Sequence, residues 1–436
     1  MGGEWVEKSL VELIDIKHGF AFKGEFFRDE PPGDVLLTPG NFAIGGGFKS
    51  DKYKYYDGPV PEEFVLCAGD LLITMTDLSK QADTLGYTAF VPPSSKGCRY
   101  LHNQRLGKVV VRDCSVVDLR YLHYLMCSQE YRDEVIASAT GTTVKHTSPE
   151  RIKRFRFRLP PLDGQRAIAH ILGTLDDKIE LNQRMNETLE AIVRALFKSW
   201  FVDFDPVRAK AESRNPGLPK HIADLFPDHF DDSELGEIPK GWGISTIGEE
   251  FNLTMGQSPP GETYNEIGEG IPFFQGRADF RFRYPNHRVF CTAPTRFADP
   301  GDTLVSVRAP VGDFNMALER CSVGRGVAAI RHKSGSRSYT YYAMRSLVDV
   351  FGDFEAEGTV FGCINKDDFH RIKFIAPPPQ LVLDFEKAAF PIDQTIEDHI
   401  MQCRTLAALR DKLLPKLISG ELWVKDAERY LEGVGT

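Results

Sequence analysis

The sequence predicts an α+β protein made of two mixed α/β copies of one unit, each running into a long helix, with the two helices antiparallel and related by a pseudo-two-fold. Three observations carry this reading. The chain repeats itself: Gly141-Thr142 recurs as Gly358-Thr359 and Pro160-Pro161 as Pro377-Pro378, an offset of 217 in both cases. Before each Pro-Pro the sequence runs in short β-like stretches broken by Gly and Pro turns. After each Pro-Pro the apolar residues fall at three–four spacing, which marks an amphipathic helix.

The first copy covers residues 1–160, with strands such as Asp70-Leu-Leu-Ile-Thr-Met and Lys108-Val-Val-Val-Arg and one helix expected near 118–137. A helix over 161–205 follows, its stripe formed by Ile168, Leu172, Leu175, Ile179, Leu189, Val193, Leu196 and Trp200. Residues 206–236, within a Pro-, Asp- and Lys-rich stretch without clear period, read as a linker. The second copy covers 237–376, and its helix spans 377–425 with Phe385, Ile392, Ile396, Leu406, Leu413 and Leu417 on one face; a tail of residues 426–436 ends the chain. Gly173 and Pro391 are expected to kink or restart their helices. Matches at the 217 offset include Asp176 with Asp393, Leu189 with Leu406 and Leu196 with Leu413. Further upstream, where the offset drifts by a residue or more as loops differ in length, they also include Tyr124 with Tyr342, Trp5 with Trp242 and Gly19 with Gly256.

Composition bounds the function. No apolar run is long enough to span a membrane, and the N-terminus has no secretory pattern. Eight scattered cysteines without a C-x-x-C pair argue against a metal site or disulfide framework and for a reducing cytoplasm. The net charge is −9, but it is unevenly spread: Ser94–Arg112 holds five Lys or Arg and no acid, as does Arg151–Arg158. An anionic partner senses that local potential, not the total.

Polar residues interrupt the helical stripes. Asn182 and Asn186 fall in the first seam, with His399 and Cys403 at the corresponding places in the second. In a repeat folded back on itself, equivalent positions meet only at the symmetry centre, so Asn182 is expected near His399 in a mid-length polar layer; a rotated stripe with both Asn solvated is the alternative. Residues 175–200 would span about 39 Å at 1.5 Å per residue. Arg154-Phe-Arg-Phe-Arg158 alternates an aromatic and a guanidinium face, which a solvated strand explains equally well. Arg105 and Arg325 sit in corresponding segments among Gly, Asn and Gln. They are either ordinary loop residues or groups able to contact base edges.

Catalytic signatures are missing. The sequence has no phosphate-binding G-x-x-x-x-G-K-[ST] loop, no [DN]-P-P-[YF] tetrapeptide of an amino-methyltransferase, no G-x-S-x-G and no H-E-x-x-H. Asp384-Phe-Glu386-Lys387 has nuclease-like letters but lies in the helical pattern.

The run Leu196-Phe-Lys-Ser-Trp-Phe-Val-Asp-Phe-Asp-Pro206, the preceding Leu175–Leu189 and the closing Leu409-Arg-Asp-Lys-Leu-Leu-Pro-Lys-Leu-Ile-Ser-Gly-Glu-Leu422 closely resemble type I restriction–modification specificity subunits. The resemblance covers essentially the whole chain, except that Asp163-Gly164-Gln165 departs from the family's Glu-Gln at the helix start. It implies two target recognition domains, each reading half of a split DNA sequence, joined by the family's two conserved helical spacers. The implied partners are double-stranded DNA, two methyltransferase subunits that carry S-adenosylmethionine, and restriction and motor subunits. This chain would hold no cofactor, no metal and no catalytic residue. The DNA-facing set is expected to include Lys80, Arg105, Lys145, Arg308 and Arg325, while Asn182, Leu189, Leu196, His399, Leu406 and Leu413 serve the helix pair. A degenerate structural adaptor, or a methyltransferase or nuclease with an unrecognised site, are the alternatives.

Overall fold

The structure is a computed structural model that describes residues 4–50, 52–79, 81–94, 97–356, 362–424 and 426–427. By internal contacts it divides into two compact units, Met1–Leu181 with Gln402–Thr436, and Asn182–Met401. Of the repeat landmarks, Gly358-Thr359 lies outside the described residues, as does Lys80.

The repeat is a repeat of topology. In the first unit a four-stranded antiparallel sheet has the order Ile14–His18, Leu106–Val111, Leu71–Thr74, Thr88–Phe90. In the second the order is Phe251–Met255, Val327–His332, Thr303–Ser306, Phe314–Met316. Each unit also has a five-stranded sheet with one parallel pair, Asp34–Leu37 beside Tyr100–His102 in the first and Ile271–Phe274 beside Cys321–Val323 in the second. A two-stranded ribbon completes each: Val6–Ser9 with Arg156–Leu159, and Gly243–Thr246 with Lys373–Ala376. After the first ribbon strand a short helix starts at a capping box, Ser9 with Glu12 and Thr246 with Glu249. Both sequences, Ser-Leu-Val-Glu and Thr-Ile-Gly-Glu, fit the S/T-x-x-E rule.

In the ribbon of the first unit, Phe155 is buried and stacks on Phe157, whereas Arg156 is exposed and pairs with Glu7 at 3.5 Å. The alternating basic strand is therefore a solvated face over an aromatic one. The helix expected near 118–137 is two helices, Leu119–Leu125 and Gln129–Ala137, because Ser128 caps the second.

The long helices are Leu162–Phe201 and Pro379–Ser419, 40 and 41 residues. Each is about 60 Å long at 1.5 Å per residue, well beyond the 39 Å read from the sequence. Neither Gly173 nor Pro391 restarts its helix. Gly173 is buried, and an added Cβ would lie 3.7 Å from the Tyr124 hydroxyl, an ordinary contact, so the packing there does not demand glycine. Pro391 costs one backbone bond but leaves the helix continuous, and Thr395 donates its hydroxyl to the Pro391 carbonyl at 3.0 Å. The helix start at the departing Asp-Gly-Gln is well satisfied. The fully buried Gln165 accepts from Asp118 N at 2.9 Å and donates to Val116 O and Pro160 O at 3.0 and 2.8 Å.

The helices pair antiparallel within each unit. In the first, Arg410 binds Asp176 at 2.7 Å and Cys403 Sγ reaches Ile179 O at 3.7 Å. In the second, His399 Nδ1 is bonded to Asn186 Oδ1 at 2.9 Å, and Asn186 Nδ2 donates to Ile396 O at 3.4 Å. The His399 bond thus falls on Asn186, one turn beyond the Asn182 expected. Asn182 and Asn186 are both buried, which excludes the solvated stripe. Of the other helix-pair residues, Leu406 and Leu413 are buried in the core of the first unit, Leu196 is half-buried against that of the second, and Leu189 is half-buried.

The linker is folded. Asp205–Ala211 and Lys220–Ala223 are helical, and Phe230–Ser233 pairs with Gly236–Pro239. Phe204, Val207 and Phe226 are buried in one core with Trp200 and Trp242. Burying three such side chains, at about 1.5–3 kcal/mol each, holds the segment that composition alone marks as loose.

Burial pushes the imidazoles of His102 and His123 in the first unit down to about 4. Both are neutral in the fold, whereas the unfolded chain takes up protons near pH 6.5. The stability of this unit is therefore expected to fall as pH drops from about 6.5 toward 4 and to be independent of these groups above that window. Urea unfolding at pH 7 and pH 5 checks this. A H102Q/H123Q double variant with the same pH slope as the parent would remove the histidines as its cause.

Candidate nucleic-acid interface

Backbone bonds bring the expected cations together within each unit. In the first, the strand Leu71–Thr74 runs into Met75, whose N–H donates to Arg105 O at 3.0 Å and whose carbonyl accepts from Thr147 N at 3.0 Å. Lys145-His146 pairs antiparallel with Thr76-Asp77. Arg105 is exposed on the turn after Tyr100–His102, and Lys145 is half-buried. The following loop is tied by Asp77, which accepts from Ser79 N and from Thr84 N and Oγ1 at 2.6, 2.5 and 2.7 Å. Burial raises the Asp77 carboxyl, but bonds from Thr84 and Ser79 outweigh it and hold it below its ordinary value.

The second unit repeats the construction. Val307 N donates to Gly326 O at 3.0 Å, and Ile364 N to Val307 O at 3.1 Å. Arg308 is exposed and bridges to Cys363; Arg325 is exposed on the turn 324–326. Ser306 clamps its loop, donating to Pro310 O and accepting from Asp313 N, both at 2.8 Å. The turns align through Leu106 N to Asn103 O and Val327 N to Gly324 O, each 2.9 Å. Arg325 therefore occupies the place of Gln104, and Arg105 that of Gly326, so the two arginines lie in corresponding turns at adjacent places. Beneath each turn lies a repeated glycine. A Cβ on Gly19 would sit 2.2 Å from Asn103 O, and one on Gly256 2.1 Å from Gly324 O, so no larger residue fits.

The sequence reading missed the loop that precedes these elements in the second unit. Gly326 N donates to Gln275 O at 3.1 Å, and Arg277 pairs with Asp313, so residues 275–288 adjoin both the turn and the Arg308 loop. Arg277, Ala278, Phe280, Arg281, Asp313 and Phe314 line an open groove of about 470 Å³. Arg281 and Phe282 are exposed, whereas Arg283 is buried. The alternation Phe280-Arg-Phe-Arg283 was the available signal.

Arg283 ties this loop to the helices. It binds Glu190 at 3.1 Å, Asp393 at 3.2 Å and the Tyr342 hydroxyl at 2.8 Å, and its guanidinium lies 4.0 Å over the Tyr341 ring. The Tyr342 hydroxyl donates to Asp393 at 3.1 Å, and in the first unit Tyr124 donates to Asp176 at 2.7 Å. The repeated Tyr and Asp of the sequence are thus one repeated hydrogen bond. Burial and the neighbouring carboxylate raise both phenols far above their usual value, so both remain donors. The arginine completing each pair differs: Arg410 from the helix in the first unit, Arg283 from the loop in the second.

The nuclease-like letters are structural. Asp384 binds Gln380 and Lys387 at 3.1 and 2.8 Å. Glu386 accepts from the N–H groups of Arg337, Ser338 and Tyr339 at 3.0–3.3 Å, capping the helix Arg337–Ser346. Among the described residues no cluster of His, Cys, Asp and Glu could hold a metal, and no helix is long and apolar enough to cross a membrane.

Two copies of one topology, each with its own cation-bearing loops and joined by paired helices, define a tandem-repeat protein with a loop face on each copy. Residues 2–191 match the family model of the type I restriction modification DNA specificity domain. A Methanocaldococcus jannaschii protein, provisionally named type I restriction enzyme MjaX specificity subunit, is 32% identical over 278 residues, 63% of this chain and 61% of its own length. The type I restriction enzyme HindI specificity subunit of Haemophilus influenzae is 25% identical over 373 residues, 72% of this chain and 80% of that one. The crystal structure of the type I restriction–modification S subunit from M. genitalium shares the fold, with a TM-score of 0.58 at 17% identity over 95% of this chain and 96% of that one. The chain is thus similar to type I restriction–modification specificity subunits over residues 2–191 and beyond, and it spans about three-fifths of the length of the Methanocaldococcus relative.

Proposed function

We propose that this chain is the DNA-specificity subunit of a cytoplasmic type I restriction–modification complex and performs no chemistry itself. Each unit would read one half of a bipartite, asymmetric target. The carrying observation is that strand order repeats while the cations beside the loops do not: exposed Arg105 and half-buried Lys145 in the first unit, exposed Arg277, Arg281, Arg308 and Arg325 in the second. Equal scaffolds with unequal side chains suit reading of two different base sequences, because phosphate contacts position a protein and side chains on base edges specify. Two methyltransferase subunits would bind S-adenosylmethionine, and restriction and motor subunits would complete the assembly.

The test is co-expression with the methyltransferase partner in a host lacking the modification, followed by mapping of methylated bases. A split, non-palindromic motif is expected, with no methylation by this chain alone. Exchanging residues 1–160 for the matching domain of a relative should change one half of the motif only. A change in both halves would refute the division of labour.

A further inference from the structure

The second unit holds one arginine in an unusual state. Arg281 is exposed, yet its NH1 group is gripped by two carbonyls of its own loop, Ala278 O at 3.1 Å and Phe280 O at 2.7 Å. Arg28 in the first unit makes the same grip, to Glu25 O at 2.9 Å and Phe27 O at 2.8 Å. There the rest of the guanidinium is used internally, because NH2 lies 3.0 Å from the Asp57 carboxylate. Arg281 has no carboxylate partner among the described residues. Its Nε–NH2 edge is thus oriented, charged and open.

An exposed arginine side chain carries rotamer entropy that a contact must overcome. The two carbonyls have already restricted Arg281, so a ligand meeting the open edge loses less. The loop beneath is itself held: Asn315 Nδ2 donates to Arg281 O at 2.6 Å, Met316 N to Arg283 O at 2.8 Å, and Arg283 is locked among Glu190, Asp393 and Tyr342. Two parallel N–H donors on a fixed plane match the O6 and N7 acceptors of guanine in the major groove. The loop also adjoins the Arg308 and Arg325 elements, as described above.

Resting on the specificity-subunit reading, we propose that Arg281 is a specificity-determining residue that reads a guanine in the half-site of the second unit. Lysine supplies charge without the planar fork, so Arg281→Lys separates base reading from phosphate binding.

The experiment compares the parent complex with R281A and R281K complexes by motif mapping and by binding to duplexes altered at each position. In both variants one guanine–cytosine position in one half of the motif should lose discrimination by about 5- to 150-fold, with the other half unchanged. Uniform weakening over all sequences in R281A, restored in R281K, would make the residue a phosphate contact and overturn the proposal. An unchanged motif, or relaxation at an adenine–thymine position, would also overturn it. A parent complex that assembles but methylates no bipartite motif would instead fail the underlying reading. Variant complexes are compared after confirming equal assembly.

Discussion

Replacing Arg283 by alanine is expected to destabilise the second unit by about 3–5 kcal/mol, the loss typical when one member of a buried ion pair is removed. Arg283 is 1% exposed, and its partners Glu190 and Asp393 are 6% and 3% exposed. Without the guanidinium, Asp393 keeps the Tyr342 hydroxyl and Glu190 keeps Arg345 at 2.7 Å, but two buried carboxylates face a cavity. The size of the effect reflects this stranded charge, not the net worth of the cluster. Pairing R283A with D393N should therefore recover part of the loss. Trp200 and Trp242 lie in the core of the second unit, so their fluorescence in a urea titration reports on it. A midpoint unchanged in R283A would show that the cluster is not closed as described.

Phe385→Ala should cost about as much, 3–5 kcal/mol by the usual range for a buried aromatic. Phe385 is fully buried, and its ring lies 5.5, 6.0 and 5.4 Å from Phe197, Trp200 and Phe201 of the first long helix. It also meets Tyr339 and Tyr342 of the helix Arg337–Ser346, each at 6.3 Å. One side chain thus joins both long helices to the second globule, and its loss leaves a cavity that rigid rings cannot fill. Phe385→Leu should retain much of the stability, because it keeps most of the apolar contact. Circular dichroism and urea titration of the purified chain measure both. A loss under about 0.5 kcal/mol in F385A, the range of ordinary surface changes, would be inconsistent with this packing.

The helix pair shows how far a sequence can be read. The apolar stripes of Leu172, Leu175, Leu406 and Leu413 predict the buried faces, because burial follows helical period. The continuity of the helices at Gly173 and Pro391 was not legible. Local propensity argues for a break, but packing and the remaining backbone bonds outweigh a single lost one. The polar layer was legible as a layer, yet its pairing was not. Which of two asparagines one turn apart meets His399 depends on the axial shift of two helices, which neither sequence contains.

The loop face follows the same division. Repeated glycines, Gly19 and Gly256, and the repeated Tyr124–Asp176 and Tyr342–Asp393 pairs stand out in the sequence because the backbone and buried hydrogen bonds tolerate few substitutes. Arg277 and Arg281 did not stand out, since their significance lies in neighbours far along the chain, Asp313, Asn315 and Gly326. Period, turns and core residues are local and repeat, so a doubled α+β chain with two long amphipathic helices and no familiar catalytic motif is legible from the residues alone. Which cations converge, the folding of the linker, and the burial of Arg283 beside an exposed Arg281 emerge only in three dimensions. Those outcomes depend on long-range contacts, in which a buried charge must find its counter-charge and an exposed one need not.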